Sequence, residues 1–249
     1  MSHQNIAHDA TLTKPSLHNA SSPMIVAQRA LDTNQQPTYL SGQKSDKEKM
    51  LIGEFFKPYS KALSDDRDNC RTLLQPFNTN LGNNREERAR LLRKVFESQG
   101  GTSRTGASNP TRVGSGVFVD SPFTCDYGYN IIIGNDVAIE RECFISDPRE
   151  VIIGANTMIG PGVKIMGKQF PYNPFERNGA LHGKARGFKI RIGEGVCIGA
   201  NCVIAPSEDW CKNGELIIGN GACILAGTTV MKVSACLQPP QSASRLILP

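Results

Sequence analysis

Aliphatic residues recur at every sixth position through the second half of the chain: Ile133, Ile139 and Ile145; Ile153, Ile159 and Ile165; Ile192, Ile198 and Ile204; Ile218, Ile224 and Val230. Such a period fits neither a helix of about 3.6 residues per turn nor the two-residue alternation of a half-buried strand. A glycine follows the aliphatic residue at Gly134, Gly154, Gly160, Gly193, Gly199 and Gly219, which predicts corners where the backbone needs permissive angles. Together these features are the hexapeptide signature of a parallel β-helix. Each hexapeptide supplies one short strand and a corner, three close a triangular coil, and the aliphatic side chain points inward onto its equivalent in the next coil. Stability then comes from contact between neighbouring coils. Two stretches break the period, Met166 to Lys189 and Pro206 to Leu216. Long interruptions of a solenoid are loops on one face, often the binding face.

The first half reads differently. Residues 1 to 45 are rich in Ser, Asn, Gln, Thr and His and poor in periodic apolar positions, so burial there cannot offset the entropy of ordering, and a disordered tail is predicted. Residues 46 to 100 follow a helical pattern: a short segment around Met50, Leu51, Phe55 and Phe56, then amphipathic helices over Arg67 to Leu74 and Arg85 to Phe96. Asn83 or Asn84 is placed to cap the last, with Glu86 and Glu87 favouring its dipole in the first turn. Residues 101 to 116 form a linker rich in Gly and Ser with Pro110 inside it, residues 117 to 232 the β-helix, and residues 233 to 249 a divergent tail.

Composition narrows the function classes. With 249 residues, 39% hydrophobic and 20% charged, the chain has material for one sizeable core and a small extra unit. A formal charge of +5 without a dense basic run interleaved with aromatics argues against a nucleic-acid partner and suits a pocket for a phosphorylated cofactor. The eight cysteines are scattered singly, with no C-x-x-C pair, which predicts reduced thiols, a cytoplasmic protein and no metal site. Cys197, Cys202 and Cys223 occupy small-residue positions of the repeats and are read as buried structural thiols. The N-terminus lacks a basic segment followed by an apolar one, and no apolar run reaches the roughly 18 residues of a membrane span, so neither secretion nor a membrane partner is expected.

Several strings carry a more specific message. Met50-Leu51-Ile52-Gly53-Glu54-Phe55-Phe56, with Arg67 and Leu73-Leu74, precedes Pro122-Phe123-Thr124-Cys125-Asp126-Tyr127-Gly128-Tyr129-Asn130-Ile131. Ile159-Gly160-Pro161-Gly162-Val163 and Asn173-Pro174-Phe175-Glu176-Arg177 then follow. In this order the chain resembles the maltose and galactoside O-acetyltransferases, including the nodulation-type sugar acetyltransferases, over roughly Lys49 to Lys232. The resemblance implies a left-handed parallel β-helix with a small α-helical N-terminal domain and a homotrimer whose active sites lie between adjacent prisms. It implies acetyl-CoA as co-substrate and direct acetyl transfer to a hydroxyl of a sugar or another small molecule.

By the same resemblance, Tyr127, Asn130 and Asp147 lie around the acceptor, where phenol, amide and carboxylate suit hydroxyl recognition. Asn130 has an alternative reading as a turn or ladder residue. Gly199, Ala200, Ala226 and Gly227 match the small residues along the pantetheine arm, and Lys232 matches a lysine facing a CoA phosphate or, alternatively, a solvated charge. The family's general base is a histidine shortly before an Asp-Pro-x-x-Arg string, a position that Phe170 occupies here. His182, at the far end of the same loop, is the remaining histidine of the repeat region and the candidate for a relocated base. Ser60 falls where the family has an acidic residue toward the acceptor. Phe170, Ser60 and the altered C-terminus also allow a second reading, a catalytically degenerate trimer kept for a structural or regulatory role.

Overall fold

The computed structural model describes residues 44–80, 84–98, 112–177, 181–211 and 213–231. The predicted disordered tail apart from Lys44 and Ser45, residues 101–111 of the predicted linker, Lys232 at the end of the predicted β-helix and the divergent C-terminus lie outside the described residues.

Three parallel sheets form the body. One stacks Phe118–Val119, Ala138–Ile139, Met158–Ile159, Cys197–Ile198 and Cys223–Ile224; the second stacks Ile131–Ile133, Val151–Ile153, Lys189–Ile192 and Glu215–Ile218; the third stacks Phe123–Cys125, Cys143–Ser146, Lys164–Met166, Val203–Ile204 and Thr229–Val230. The chain visits the three in rotation, one strand per visit, so each circuit is one triangular coil. The periodic aliphatic residues are paired partners: Ile133, Ile153, Ile192 and Ile218 on one face, Ile139, Ile159, Ile198 and Ile224 on another, Ile145, Ile165, Ile204 and Val230 on the third. All but Ile224 are buried, and they form the axial core.

The glycines after these residues serve a different purpose from the one the sequence suggested. The left-handed angles fall two residues further on, at Asp136, Asn156, Gly195 and Gly221 on one corner and at Glu142, Gly162, Asn201 and Gly227 on another. At Gly154 the constraint is space: an added Cβ would sit 2.5 Å from the Gly193 carbonyl carbon in the next coil. These glycines let successive coils approach within strand spacing at the corners.

Three helices precede the coils among the described residues. Helix α1 (Asp46–Ile52) starts with a capping box between Ser45 and Glu48 and stops at Gly53, whose φ is 84°. Helix α2 spans Lys61–Thr79 and α3 spans Arg85–Phe96, the latter capped by Asn84 through the Glu87 amide. Helix α2 exceeds the expected Arg67 to Leu74 because its buried stripe, Leu63, Arg67, Cys70, Leu74 and Phe77, runs past Pro76. A charged residue in the stripe obscures that periodicity. The α2–α3 pair shares the core of the β-helix through Leu74, Phe77, Leu92, Val95 and Phe96. Asn78 takes both free bonds of the Phe123 backbone, donating to its carbonyl at 2.8 Å and accepting from its amide at 2.9 Å.

The longer interruption folds as an arm: Lys168–Gln169 pairs antiparallel with Arg186–Gly187, around a short helix Pro174–Arg177. Two backbone hydrogen bonds between Phe56 and Ala185, at 3.0 and 2.9 Å, tie the arm to the segment after α1. Among the described residues no helix is long and apolar enough to cross a membrane.

Candidate functional site

Tyr127, Asn130 and Asp147 come together where α2 meets the β-helix. The Tyr127 amide donates to Asp147 Oδ1 at 2.8 Å, and Asn130 Nδ2 donates to the Asp147 carbonyl at 2.7 Å. Arg67 Nη1 donates to the Tyr127 hydroxyl at 2.9 Å and to the Pro58 carbonyl at 2.7 Å. Beside them, Asp126 Oδ2 accepts from Ser146 Oγ at 2.6 Å and from Lys168 Nζ at 3.2 Å. Sequence reasoning left Arg67, Asp126, Ser146 and Lys168 out of the site. The legible signal was Arg67, a charge at a position of α2 that the helical period assigns to the core.

The cluster is nearly closed, with Tyr127 1%, Asn130 7% and Asp147 0% exposed. Burial pushes the Asp147 carboxyl well above the usual carboxylate range against the pull of the Tyr127 amide, and nearby Asp126 adds to the rise. Burial likewise raises the Tyr127 phenol, with Arg67 opposing. Asp147 Oδ2 and Ser60 Oγ are buried without a hydrogen-bond partner among the described residues. Unpartnered polar atoms of this kind are uncommon in folded interiors.

A pH prediction follows from the sign of the Asp147 shift. Its folded-state pKa lies above the unfolded value near about 3.9. Its stabilising contribution is therefore complete below about pH 4 and is lost as pH rises through the raised value. Asp147→Asn keeps the acceptor for the Tyr127 amide and cannot ionise. Thermal unfolding should show the variant gaining on the wild type as pH rises above about 4. Parallel pH curves would refute an ionising cost at Asp147.

His182 is placed elsewhere. It is exposed, and it lines a cavity of about 430 Å³ in the arm together with Phe55, Pro171, Phe175, Glu176 and Lys184. None of Tyr127, Asn130 and Asp147 belongs to that lining. Phe170 connects the two regions: it is half-buried against the apolar cluster of Met50, Phe56, Leu63, Tyr127, Tyr129 and Ala185. A phenyl ring there packs and cannot accept a proton.

Gly199, Ala200, Ala226 and Gly227 meet on one corner of two successive coils, where the Gly227 amide donates to the Ala200 carbonyl at 2.8 Å. Ala226 and Gly227 are exposed, and a Cβ on Gly227 would meet nothing within 4 Å. The corner is an open ledge along which a thin, extended ligand arm can lie close to the backbone.

Cys202 is buried as expected, but Cys197 and Cys223 are exposed, which corrects their reading as buried thiols. Each precedes an inward isoleucine by one residue, and strand alternation turns it outward.

Comparison with known proteins gives a consistent set of relatives. Residues 49–100 match the family described as the maltose acetyltransferase hexapeptide capping motif. The chain is 32% identical over 163 residues to nodulation protein L of Rhizobium meliloti, covering 66% of this chain and 80% of that protein. A maltose O-acetyltransferase from Clostridium difficile superposes with a TM-score of 0.62 at 30% identity, over 76% of this chain and 88% of its own. A galactoside acetyltransferase in complex with coenzyme A superposes with a TM-score of 0.61 at 25% identity, over 76% and 84% of the two chains.

Proposed function

Because the chain belongs to the hexapeptide-repeat acetyltransferases of the maltose and galactoside group, with their left-handed β-helix, we propose that it transfers the acetyl group of acetyl-CoA to a hydroxyl of a sugar or another small molecule. The observation that carries this reading is the cavity in the arm, which His182 lines with Glu176, Lys184, Phe55, Pro171 and Phe175. Polar groups converging in a partly apolar recess are the ordinary form of a small-molecule site.

In this reading His182 accepts the proton of the acceptor hydroxyl as its oxygen attacks, with no acyl-enzyme. Tyr127, Asn130 and Asp147 lie outside the lining of that cavity and support it indirectly, through the apolar cluster of Tyr127 against which Phe170 packs. Acetyl-CoA, when bound, supplies an activated acyl carbon. Gly199, Ala200, Ala226 and Gly227 hold it by leaving the coil corner free of large side chains, and Lys232, outside the described residues, is the cation that the family resemblance assigns to a CoA phosphate. The working assembly is a homotrimer with closed cyclic symmetry, to be read by sedimentation.

A second reading rests on Phe170: with the family's base replaced by a packing residue, the chain is a degenerate trimer that keeps the cofactor cleft and a structural or regulatory role. Thiol release from acetyl-CoA, measured with a panel of sugars and small alcohols beside direct binding of acetyl-CoA, separates the two. Turnover above the solvent rate supports the enzyme, and binding without turnover supports the degenerate protein. Absence of both overturns the cofactor reading.

A further inference from the structure

The outer side of the first sheet carries an uncharged row, Phe118, Ala138, Met158, Cys197 and Cys223, in register on consecutive coils. Three of these rungs end in sulfur. Met158 is 53% exposed, both thiols are exposed, and the isoleucine after each of the three points inward. Consecutive parallel strands lie about 4.8 Å apart, which fixes the spacing of the three side chains along the prism.

That spacing selects the chemistry. A disulfide wants its Cβ atoms about 3.5–4.5 Å apart, and parallel in-register rungs hold them wider, so the reduced pair is the favoured form. Metal–thiolate bonds are about 2.3 Å, so two thiolates on opposite sides of one ion stand about 4.6 Å apart, which matches the rung spacing. Zinc is a poor fit, since it takes four ligands in a tetrahedron, and no group of three or more His, Cys, Asp or Glu is gathered among the described residues. Soft thiolate and thioether ligands at low coordination suit monovalent copper.

We propose that Cys197 and Cys223 bind one Cu(I) ion between them on the outer face of the coil stack, with Met158 as a third, weaker sulfur ligand. Binding forms two copper–sulfur bonds and releases both thiol protons to solvent, so the site changes from two neutral thiols to a copper dithiolate of charge −1 with no change in oxidation state. The neighbourhood supports the pairing: beyond desolvation, the proximity of Cys223 holds the Cys197 thiol above its ordinary value. A cation shared between the two sulfurs relieves that repulsion. The site lies on the sheet face, apart from the cavity lined by His182, and it does not depend on the acetyl-transfer reading.

The test uses the full-length protein with Cys236→Ser as background, because Cys236 lies outside the described residues, whereas Cys70, Cys125, Cys143, Cys202 and Cys211 are buried. Cu(I) is offered anaerobically as its bathocuproine disulfonate complex, and transfer is followed by loss of the chelator's colour. The background protein should take one Cu(I) per chain. Cys197→Ser and Cys223→Ser should each lose uptake while keeping the wild-type circular dichroism spectrum and thermal midpoint. Met158→Leu should keep the stoichiometry and lose the ion to lower chelator concentrations, and unchanged competition in that variant overturns the third ligand. X-ray absorption should show sulfur neighbours alone around copper. No uptake by the background protein overturns the proposal, as does undiminished uptake by either serine variant, which would mean that the thiols bind independently.

Discussion

With His182 as the proposed base, His182→Ala should lower kcat for acetyl transfer about 10²- to 10⁴-fold, the usual cost of removing a positioned general base, and should leave binding of acetyl-CoA unchanged. The separation is expected because His182 lines the cavity in the arm, whereas the small-residue ledge lies on the coil corner formed by Gly199, Ala200, Ala226 and Gly227. His182 is exposed and shares its cavity with Glu176 and Lys184, so the truncation removes the imidazole without opening a hole in a core. Phe170→His in the same background should restore part of the lost turnover if position 170 is where the proposed reaction takes its base. The ring at 170 is half-buried against the Tyr127 and Tyr129 cluster, so the rescued variant should also unfold at a lower temperature. Full activity in His182→Ala would end its assignment as base and turn attention to other groups of the arm.

Gly154→Ala costs roughly 3 kcal/mol of stability or prevents folding, a large effect for one methyl group. The new carbon would lie 2.5 Å from both the carbon and the oxygen of the Gly193 carbonyl and 2.7 Å from the Glu194 nitrogen, all backbone atoms held by coil pairing. Relief requires the two coils to part at that corner, which strains the bonds from the Gly154 amide to the Ile192 carbonyl and from the Gly195 amide to the Ala155 carbonyl, both 2.8 Å. Gly195→Ala is the matched control. Its φ is 65° but nothing lies within 4 Å of the added carbon, so its cost is that of a left-handed alanine, about 1–2 kcal/mol. Urea unfolding of the two variants should rank them in that order. Equal losses would show that backbone angle rather than coil spacing decides the role of these glycines.

The repeat made the architecture legible because each coil repeats the same demand. Every position from Ile133 to Val230 in the six-residue series is an inward rung paired with its neighbour. The role of the glycines was not legible, because a six-residue count gives the corner but not which of its residues turns left-handed and which lies against the next coil. Cys197 and Cys223 were misread for a related reason: composition treats a free cysteine as a core residue, whereas their place one before an inward isoleucine was already a statement that they face out. At the candidate site, Tyr127, Asn130 and Asp147 were found by resemblance. Tyr127 also meets Arg67 of α2, a contact across 60 positions of sequence that no local pattern announces. Helix α3 was read to its observed bounds because Asn84 and the acidic first turn mark its start.

The stitching of α1 and the residues after it to Arg149 and to the arm also sets an order of events during synthesis. Arg186 Nε reaches the Gly53 carbonyl across 133 positions, Arg149 Nε reaches the Leu51 carbonyl across 98, and Phe56 and Ala185 exchange backbone bonds. A chain emerging from the ribosome at about 5–20 residues per second exposes α1 for several seconds before its partners exist. Helix α1 is seven residues long, too short to persist alone in water. Helix α1 is therefore made well before the residues that fix it, and it waits for the arm to pair with the segment that follows it.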